Sequence, residues 1–323
     1  SNAFERLFRL KKKIILDCDP GHDDAVAIML AAASNKIEIL GITCVAGNTT
    51  LENAKLNSLR ICSLIGKTNI PIFAGSNKPI KLDLVTASHV HGKSGLDIDS
   101  SPIQINSNHK IQNLNAVDFI IETCLNQSEP VYICPTGPLT NIALALEKEP
   151  KIKNNIKQIV FMGGVAMNLG NITPVAEFNI YVDPHAADIV LNSSIPLVMM
   201  GLDVTHKVMV NDQIIDEIEK NGNKSSLFFA DLMKYYSKFH RQLYEINESP
   251  LHDPCVIAYL INSSLFKGKF VNVEVEKDSE LTRGKTVVDW LGVTKRNQNC
   301  TVITEVDHKS FFSLIKEELK SLN

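Results

Sequence analysis

The chain has 323 residues, 44% of them hydrophobic and 21% charged, with 16 Gly and 13 Pro, a composition that excludes the disordered and fibrous classes. Its 33 Lys and Arg against 36 Asp and Glu leave a formal charge of -3, so no broad positive field attracts a phosphate backbone and nucleic acid is excluded as a main partner. No uninterrupted apolar run approaches the roughly 18 residues that a membrane span needs.

In chain order, Ser1-Asn2-Ala3 reads as a tag-cleavage scar, and residues 1–10 as that remnant plus a lead. Residues 11–323 then read as one domain. Lys13-Ile14-Ile15-Leu16-Asp17-Cys18-Asp19 is an apolar run ended by carboxylates, Pro20 and Gly21, which predicts a buried strand emptying into a loop. Asp23-Asp24 next opens AVAIMLAAA, a strong helix former with acids in its first turn. The alternation repeats: a strand over 38–45, AGNTT and a helix over 51–65; a strand over 131–135, TGPLTN and a helix over 139–146; strands over 156–162 and 195–200 with a helix near 183–191 between them. Short apolar strands alternating with helices predict βαβ units, hence an open α/β fold with a mainly parallel twisted sheet flanked by helices. After Thr205 helices dominate, over about 212–220, 225–244 and from near Asp253, and EINESP reads as a flexible link. Three β-like runs (KFVNVEVE, GKTVVDW, CTVITEV) and a last helix complete a C-terminal helical and β elaboration.

The seven cysteines are an odd number, widely spaced, without C-x-x-C and mostly inside apolar runs, the pattern of reduced core thiols in a cytoplasmic protein.

The most informative stretch, Asp17-Cys18-Asp19-Pro20-Gly21-His22-Asp23-Asp24, places four carboxylates in eight residues at the carboxyl end of the first strand. That edge is where ligands bind in open α/β sheets. Clustered carboxylates repel, and a divalent ion is the simplest compensation. All-oxygen ligation favours Ca²⁺ or Mg²⁺ over Zn²⁺, and the spacing is not that of an EF-hand. Two further clusters are less decisive. Leu251-His252-Asp253-Pro254 reads either as part of a site or as a helix cap beside a surface histidine. Asn171 to Asn179 reads either as a polar loop or as a set of hydrogen-bonding groups for sugar hydroxyls.

DCDPGHDDA, AGN after the second strand, HG before Leu96, TGPLTNIA, FMGG, GN-x-TP-x-AEFN, MMGLDVT and HDP occur together in one order. In these motifs the chain resembles the inosine–uridine-preferring nucleoside hydrolase family, the calcium-dependent N-ribohydrolases, from about Lys13 to Val288. The resemblance implies hydrolysis of the N-glycosidic bond of ribonucleosides to ribose and free base, and because a pyrimidine has no N7 to protonate while His252, His91, His240 and Tyr244 are available as donors, uridine and/or cytidine are expected as substrates as well as inosine. It assigns Ca²⁺ to Asp19, Asp24, the Thr136 carbonyl and Asp253, makes Asp19 the base that accepts the water's proton, and makes Asp17 a support behind the ligands. It gives Asp23, Asn48, Asn171 and Asn179 to the ribose hydroxyls, Glu177 to the 5′ end and Met162 to packing against the sugar, although Met162 reads equally as a core residue. His252 assists the departing base and His91 lies on the base side. Tyr244 falls where relatives place an aromatic, on a stretch whose aromatics read equally as helix packing. His89 has no matching role, and His22 stands at a variable position and is assigned none. A homodimer or homotetramer is implied as well.

Other classes fit less. An aspartate-nucleophile phosphohydrolase also ends its first strand on D-x-D, but has no use for NxTPxAEFN. A binding protein without turnover would be signalled by loss of Asp19 or Asp253, and both are present. No G-x-G-x-x-G follows the first strand, which disfavours a dinucleotide-dependent dehydrogenase.

Overall fold

The computed structural model describes residues 10–100 and 103–323, and the backbone but not the side chain of Tyr244. The supposed tag scar therefore lies outside the described residues. The first strand, β1 (Lys12–Cys18), is followed by α1 (His22–Ala33), β2 (Ile37–Cys44), α2 (Leu51–Leu64), β3 (Ile72–Ala74), α3 (Ser88–His91), α4 (Ala116–Asn126), β4 (Val131–Pro135), α5 (Thr140–Lys148), β5 (Ile156–Met162), α6 (Phe178–Val182), α7 (Pro184–Leu191) and β6 (Leu197–Met200). The C-terminal part adds α8 (Leu202–Thr205), β7 (Met209–Val210), α9 (Asp212–Glu219), α10 (Lys224–Tyr244), β8 (Ser249–Pro250), α11 (Pro254–Ile261), β9 (Phe266–Val275), β10 (Thr286–Asp289), β11 (Cys300–Val306) and α12 (His308–Leu319).

Among the described residues the sheet has nine strands in the order β10-β9-β11-β6-β5-β4-β1-β2-β3. Strands β1 to β6 are mutually parallel, β11 runs parallel to β6, and β9 and β10 add antiparallel pairs at one edge. From β1 the chain winds outward through β2 and β3, then crosses back to β4 and winds the other way. The switch lies between β1 and β4, where the crevice at the carboxyl ends of the strands opens. The carboxylate loop leaves β1 at that point, and Asp17 is in register with Thr43 on one side and Pro135 on the other.

Both faces of the sheet are covered, which is why the parallel strands read as continuous apolar runs. One core joins α1, α2, α10, α11 and α12, and the other joins α4, α5 and α7 with inward residues of β4, β5 and β9. Helix α1 is buried along nearly its whole length, which explains its Ala-rich sequence. The architecture follows the sequence expectation, with particular differences. Asp19 lies beyond β1 rather than within it, β3, α3 and α4 are additional, and the EINESP link ends in β8, which pairs antiparallel with β7. That short ribbon ties the segment before His252 to the chain after α8, with Leu251 N–H donating to Val208 O at 2.9 Å.

Candidate active site

The floor of the crevice is built from strand ends. Asp17, at the end of β1, accepts hydrogen bonds at Oδ2 from Thr43 Oγ1 (2.6 Å) and Asn141 Nδ2 (2.8 Å), so it fastens β1 to β2 and α5 beneath the site. Burial pushes its carboxyl up to about 7. Asp19 accepts from the Asn48 main-chain N–H at Oδ2 (2.6 Å), while its Oδ1 is buried with no hydrogen-bond donor among the described residues. The approach is possible because glycine stands on both sides: a Cβ at Gly47 would collide with Asp19 Oδ2, and one at Gly137 would sit 2.7 Å from Oδ1.

Asp24 is oriented by three donors, the Gly21 N–H (3.2 Å) and Asn48 Nδ2 (3.1 Å) at Oδ1 and Thr136 Oγ1 (2.9 Å) at Oδ2. Carboxylate oxygens of Asp23, Asp24 and Asp253 lie within 4.8 Å of one another, and all three residues are buried. Asp253 precedes α11 but its side chain makes no capping bond, so of the two sequence readings the helix cap is the one its geometry does not support. Burial and then the neighbouring Asp24 charge push Asp23 up to about 7, and burial followed by neighbouring carboxylates pushes Asp19 and Asp253 well above the carboxylate range. Such a group either holds protons at neutral pH or faces a cation. The orphaned Asp19 oxygen, the three converging carboxylates and the all-oxygen donor set fit a hard divalent ion.

Around this floor the loop after β5 supplies the next groups. Glu177 accepts the Gly164 N–H at Oε1 (3.0 Å) and the Asn179 N–H at Oε2 (2.9 Å), and burial raises it to about 7. Asn179 Nδ2 donates to the main-chain carbonyls of Thr136 (3.1 Å) and Met162 (2.9 Å), joining the ends of β4 and β5. Asn171 Oδ1 accepts the Phe178 N–H at 2.9 Å and holds the loop onto α6. One cavity is lined by Asp23, Asn48, Thr136, Met162, Asn171, Glu177, Asn179 and Asp253, so residues more than 200 positions apart meet there.

The opposite wall of the same cavity is formed by His91, Tyr236, His240 and His252, with His89 at the exposed rim. His252 Nδ1 lies 2.8 Å from Thr205 Oγ1, and its ring stands 5.8 Å from that of His206. Burial pushes His91 and His252 well below the ordinary imidazole value and His240 down to about 4. Tyr236 packs edge-on against His240, with ring centroids 4.6 Å apart.

Of the residues singled out in the sequence, Asp17 and Asp19 lie behind the cavity surface and Tyr244 has no described side chain. The others line it, apart from Asp24, which joins the carboxylate cluster just beneath. Asp23, expected only on the sugar, is also part of that cluster. Sequence reasoning missed Tyr236 as a member of the wall, His206 and Thr205 as partners behind it, and Asn141 behind the floor. The MMGLDVT and TGPLTNIA motifs contain the last two, so their signal was present without an individual role.

The family model described as inosine-uridine preferring nucleoside hydrolase matches residues 14–313. The chain belongs to the nucleoside hydrolase family. It is 45% identical over 308 residues to the pyrimidine-specific ribonucleoside hydrolase RihA of Escherichia coli O7:K1, covering 95% of this chain and 98% of that protein. Its identity to the protein of the same name from Shigella flexneri is 44% over the same span. Among solved structures, a purine-preferring ribonucleoside hydrolase from Gardnerella vaginalis superposes with a TM-score of 0.89 at 32% identity, covering 96% of this chain and 98% of that one. The nucleoside hydrolase described here is thus an N-glycosyl hydrolase, and the reaction its site serves is hydrolysis of ribonucleosides to ribose and free base.

Proposed function

We propose that this nucleoside hydrolase acts on uridine and cytidine, and on inosine as well, with Ca²⁺ held by Asp19, Asp24, Asp253 and the Thr136 carbonyl. The observation that carries the base preference is the wall of His91, His240, His252 and Tyr236 facing the carboxylate floor across one cavity. A purine can leave after protonation at N7, whereas a pyrimidine needs hydrogen-bonding groups aimed at its own edge, and this wall supplies several. The pyrimidine-specific name of the relatives at 44% and 45% identity supports the same reading.

A divalent ion on the floor supplies charge that acidifies a water and orients the ribose diol. The chain's own groups do the rest. Asp19, whose Oδ1 lacks a donor among the described residues, takes the proton of the water that attacks C1′. Asp23, Asn48, Asn171 and Asn179 hold the hydroxyls, and Glu177 binds near the 5′ end, where its carboxylate also favours the developing oxocarbenium charge. Met162 packs against the sugar, Tyr244 extends the wall, and Asp17 keeps Asp19 in place from behind. Burial disfavours the cation of His252, so it takes up a proton from solvent at that cost, passes it as the imidazolium from Nε2 to the departing base as negative charge develops there, and returns to the neutral ring.

The seven free cysteines are all buried, which suits a reducing, cytoplasmic setting. The unit at work is a homodimer or homotetramer serving nucleoside catabolism and salvage.

A reducing-sugar assay across uridine, cytidine, inosine, adenosine and guanosine, with and without a chelator, tests the substrate and metal readings together. Uridine or cytidine turns over, and chelation abolishes it. Robust inosine or adenosine cleavage with no pyrimidine hydrolysis removes the base reading, and full activity after exhaustive chelation removes the metal reading.

A further inference from the structure

His22 belongs to the carboxylate loop by sequence but takes no part in the floor. It is fully buried, with Nδ1 2.8 Å from Nδ1 of His91 and Nε2 2.5 Å from the main-chain carbonyl oxygen of Asp97. The two imidazole centroids are 5.1 Å apart and the planes differ by 16°. With the nitrogens this close, the rings lie nearly in one plane and meet edge to edge, the geometry of a ring-to-ring N–H···N bond and not of a face-to-face stack. Tyr235 lies parallel to His22 at 5.1 Å, and Gly21 leaves the space in which His91 sits, since a Cβ there would come within 2.7 Å of its ring.

A carbonyl oxygen only accepts, so His22 Nε2 carries a hydrogen. A neutral His22 therefore has its lone pair on Nδ1 and accepts there, which places a hydrogen on His91 Nδ1; burial disfavours the His91 cation, so that hydrogen is its only one and His91 Nε2 is bare. In the one alternative, a His22 cation donates to His91 Nδ1, and the 3.3 Å approach of the His22 main-chain N–H to that atom agrees with it. That arrangement buries a cation whose two nitrogens face only a histidine and a carbonyl, a larger cost than one long hydrogen bond recovers.

We propose that His22 is a positioning residue that holds His91 as its Nδ1–H tautomer, so that His91 meets the base through Nε2 as a hydrogen-bond acceptor. The proposal rests on the reading of His91 as a base-side residue. It divides the labour of the wall. His91 is locked as an acceptor for an N–H or amino edge of the base. His252 is paired at Nδ1 with the Thr205 hydroxyl, which donates or accepts by rotating, so His252 Nε2 is free to lose and regain a proton as a general acid does.

Nitrogen-15 NMR of histidine-labelled protein reads the tautomer directly. His91 shows a pyrrole-like Nδ1 and a pyridine-like Nε2, and the reverse pattern overturns the proposal. Kinetics supply the second arm. His22→Leu keeps bulk but removes the acceptor, whereas His22→Asn keeps an acceptor oxygen near the Nδ1 position. His22→Leu lowers kcat/KM for uridine about 10-fold more than for 4-nitrophenyl riboside, whose leaving group needs no base-side hydrogen bond, and His22→Asn restores most of that difference. Equal losses on both substrates, or no rescue by Asn, overturn it. Wild-type protein that cleaves the nitrophenyl riboside but not uridine overturns the substrate reading alone, because the NMR pattern remains interpretable.

Discussion

The floor and the wall of the cavity are made in different ways. The floor comes from the carboxyl ends of β1, β2, β4 and β5, and its side chains are locked by bonds between neighbouring strands: Asp17 to Thr43, Asp19 to Asn48, Asn179 to Thr136 and Met162. The wall comes from α3, α10 and the segment before α11, and its members are held by ring contacts and by bonds to residues behind them, His91 to His22 and His252 to Thr205. A sheet edge fixes atoms to within fractions of an ångström and suits chemistry common to every ribonucleoside. Helices and connecting segments can change one residue at a time, which suits the choice of base.

That contrast is sharpest at Asp19. On the proposed mechanism Asp19→Asn removes the base and a ligand without changing volume, and kcat should fall on the order of 10³-fold on uridine and on 4-nitrophenyl riboside alike. Steady-state rates on the two substrates check it, and near-normal turnover on either would dissolve the distinction between a general floor and a selective wall. His252→Ala is the corresponding cut in the wall: kcat drops about 10²-fold for at least one class of base. An unchanged kcat on every nucleoside would leave the wall without an acid.

The smallest effect concerns stability and touches the floor alone. Burial raises Asp17, Asp23 and Glu177 to about 7, so each binds its proton more tightly folded than unfolded. With folded values above unfolded ones, their stabilising contribution is complete below the ordinary carboxylate range and is lost as pH rises through about 7. The buried histidines of the wall are pushed down and gain stability over the same interval, so the floor is read in the difference that the ion makes: the rise in melting temperature on adding Ca²⁺ should be roughly 5 °C larger at pH 8 than at pH 5, because at pH 8 it displaces fewer protons. Melting curves at both pH values, with chelator and with Ca²⁺, test this. A Ca²⁺-induced rise that is no larger at pH 8 than at pH 5 would contradict it.

The floor was legible in the sequence because its residues are local in the chain or sit in fixed motifs at strand ends: an apolar run followed by D-x-D-P-G-x-D-D has few structural alternatives. Strand order was partly legible, since βαβ alternation implies a parallel sheet, but β3 is three residues long and β7 and β8 two each, too short for a periodic signal. The wall was much less so. His22 looked like a spare residue in the loop, because its partners His91 and Asp97 lie 69 and 75 residues away. Tyr236 and His240 sit at the i, i+4 spacing of any amphipathic helix, and only the packing of α10 over the crevice distinguishes lining from burial.

His252 and Asp253 are consecutive, yet one belongs to the wall and the other to the floor. A peptide bond thus joins the part of the site that can vary with the part that cannot. Over evolutionary time a lineage can replace the side chain at position 252, but an insertion or deletion between the two would pull Asp253 out of the carboxylate cluster. A length change is better accommodated upstream, in the exposed stretch 245–248 before β8, where the backbone carries no member of either half. At this joint the chain thus tolerates a change of side chain more readily than a change of length.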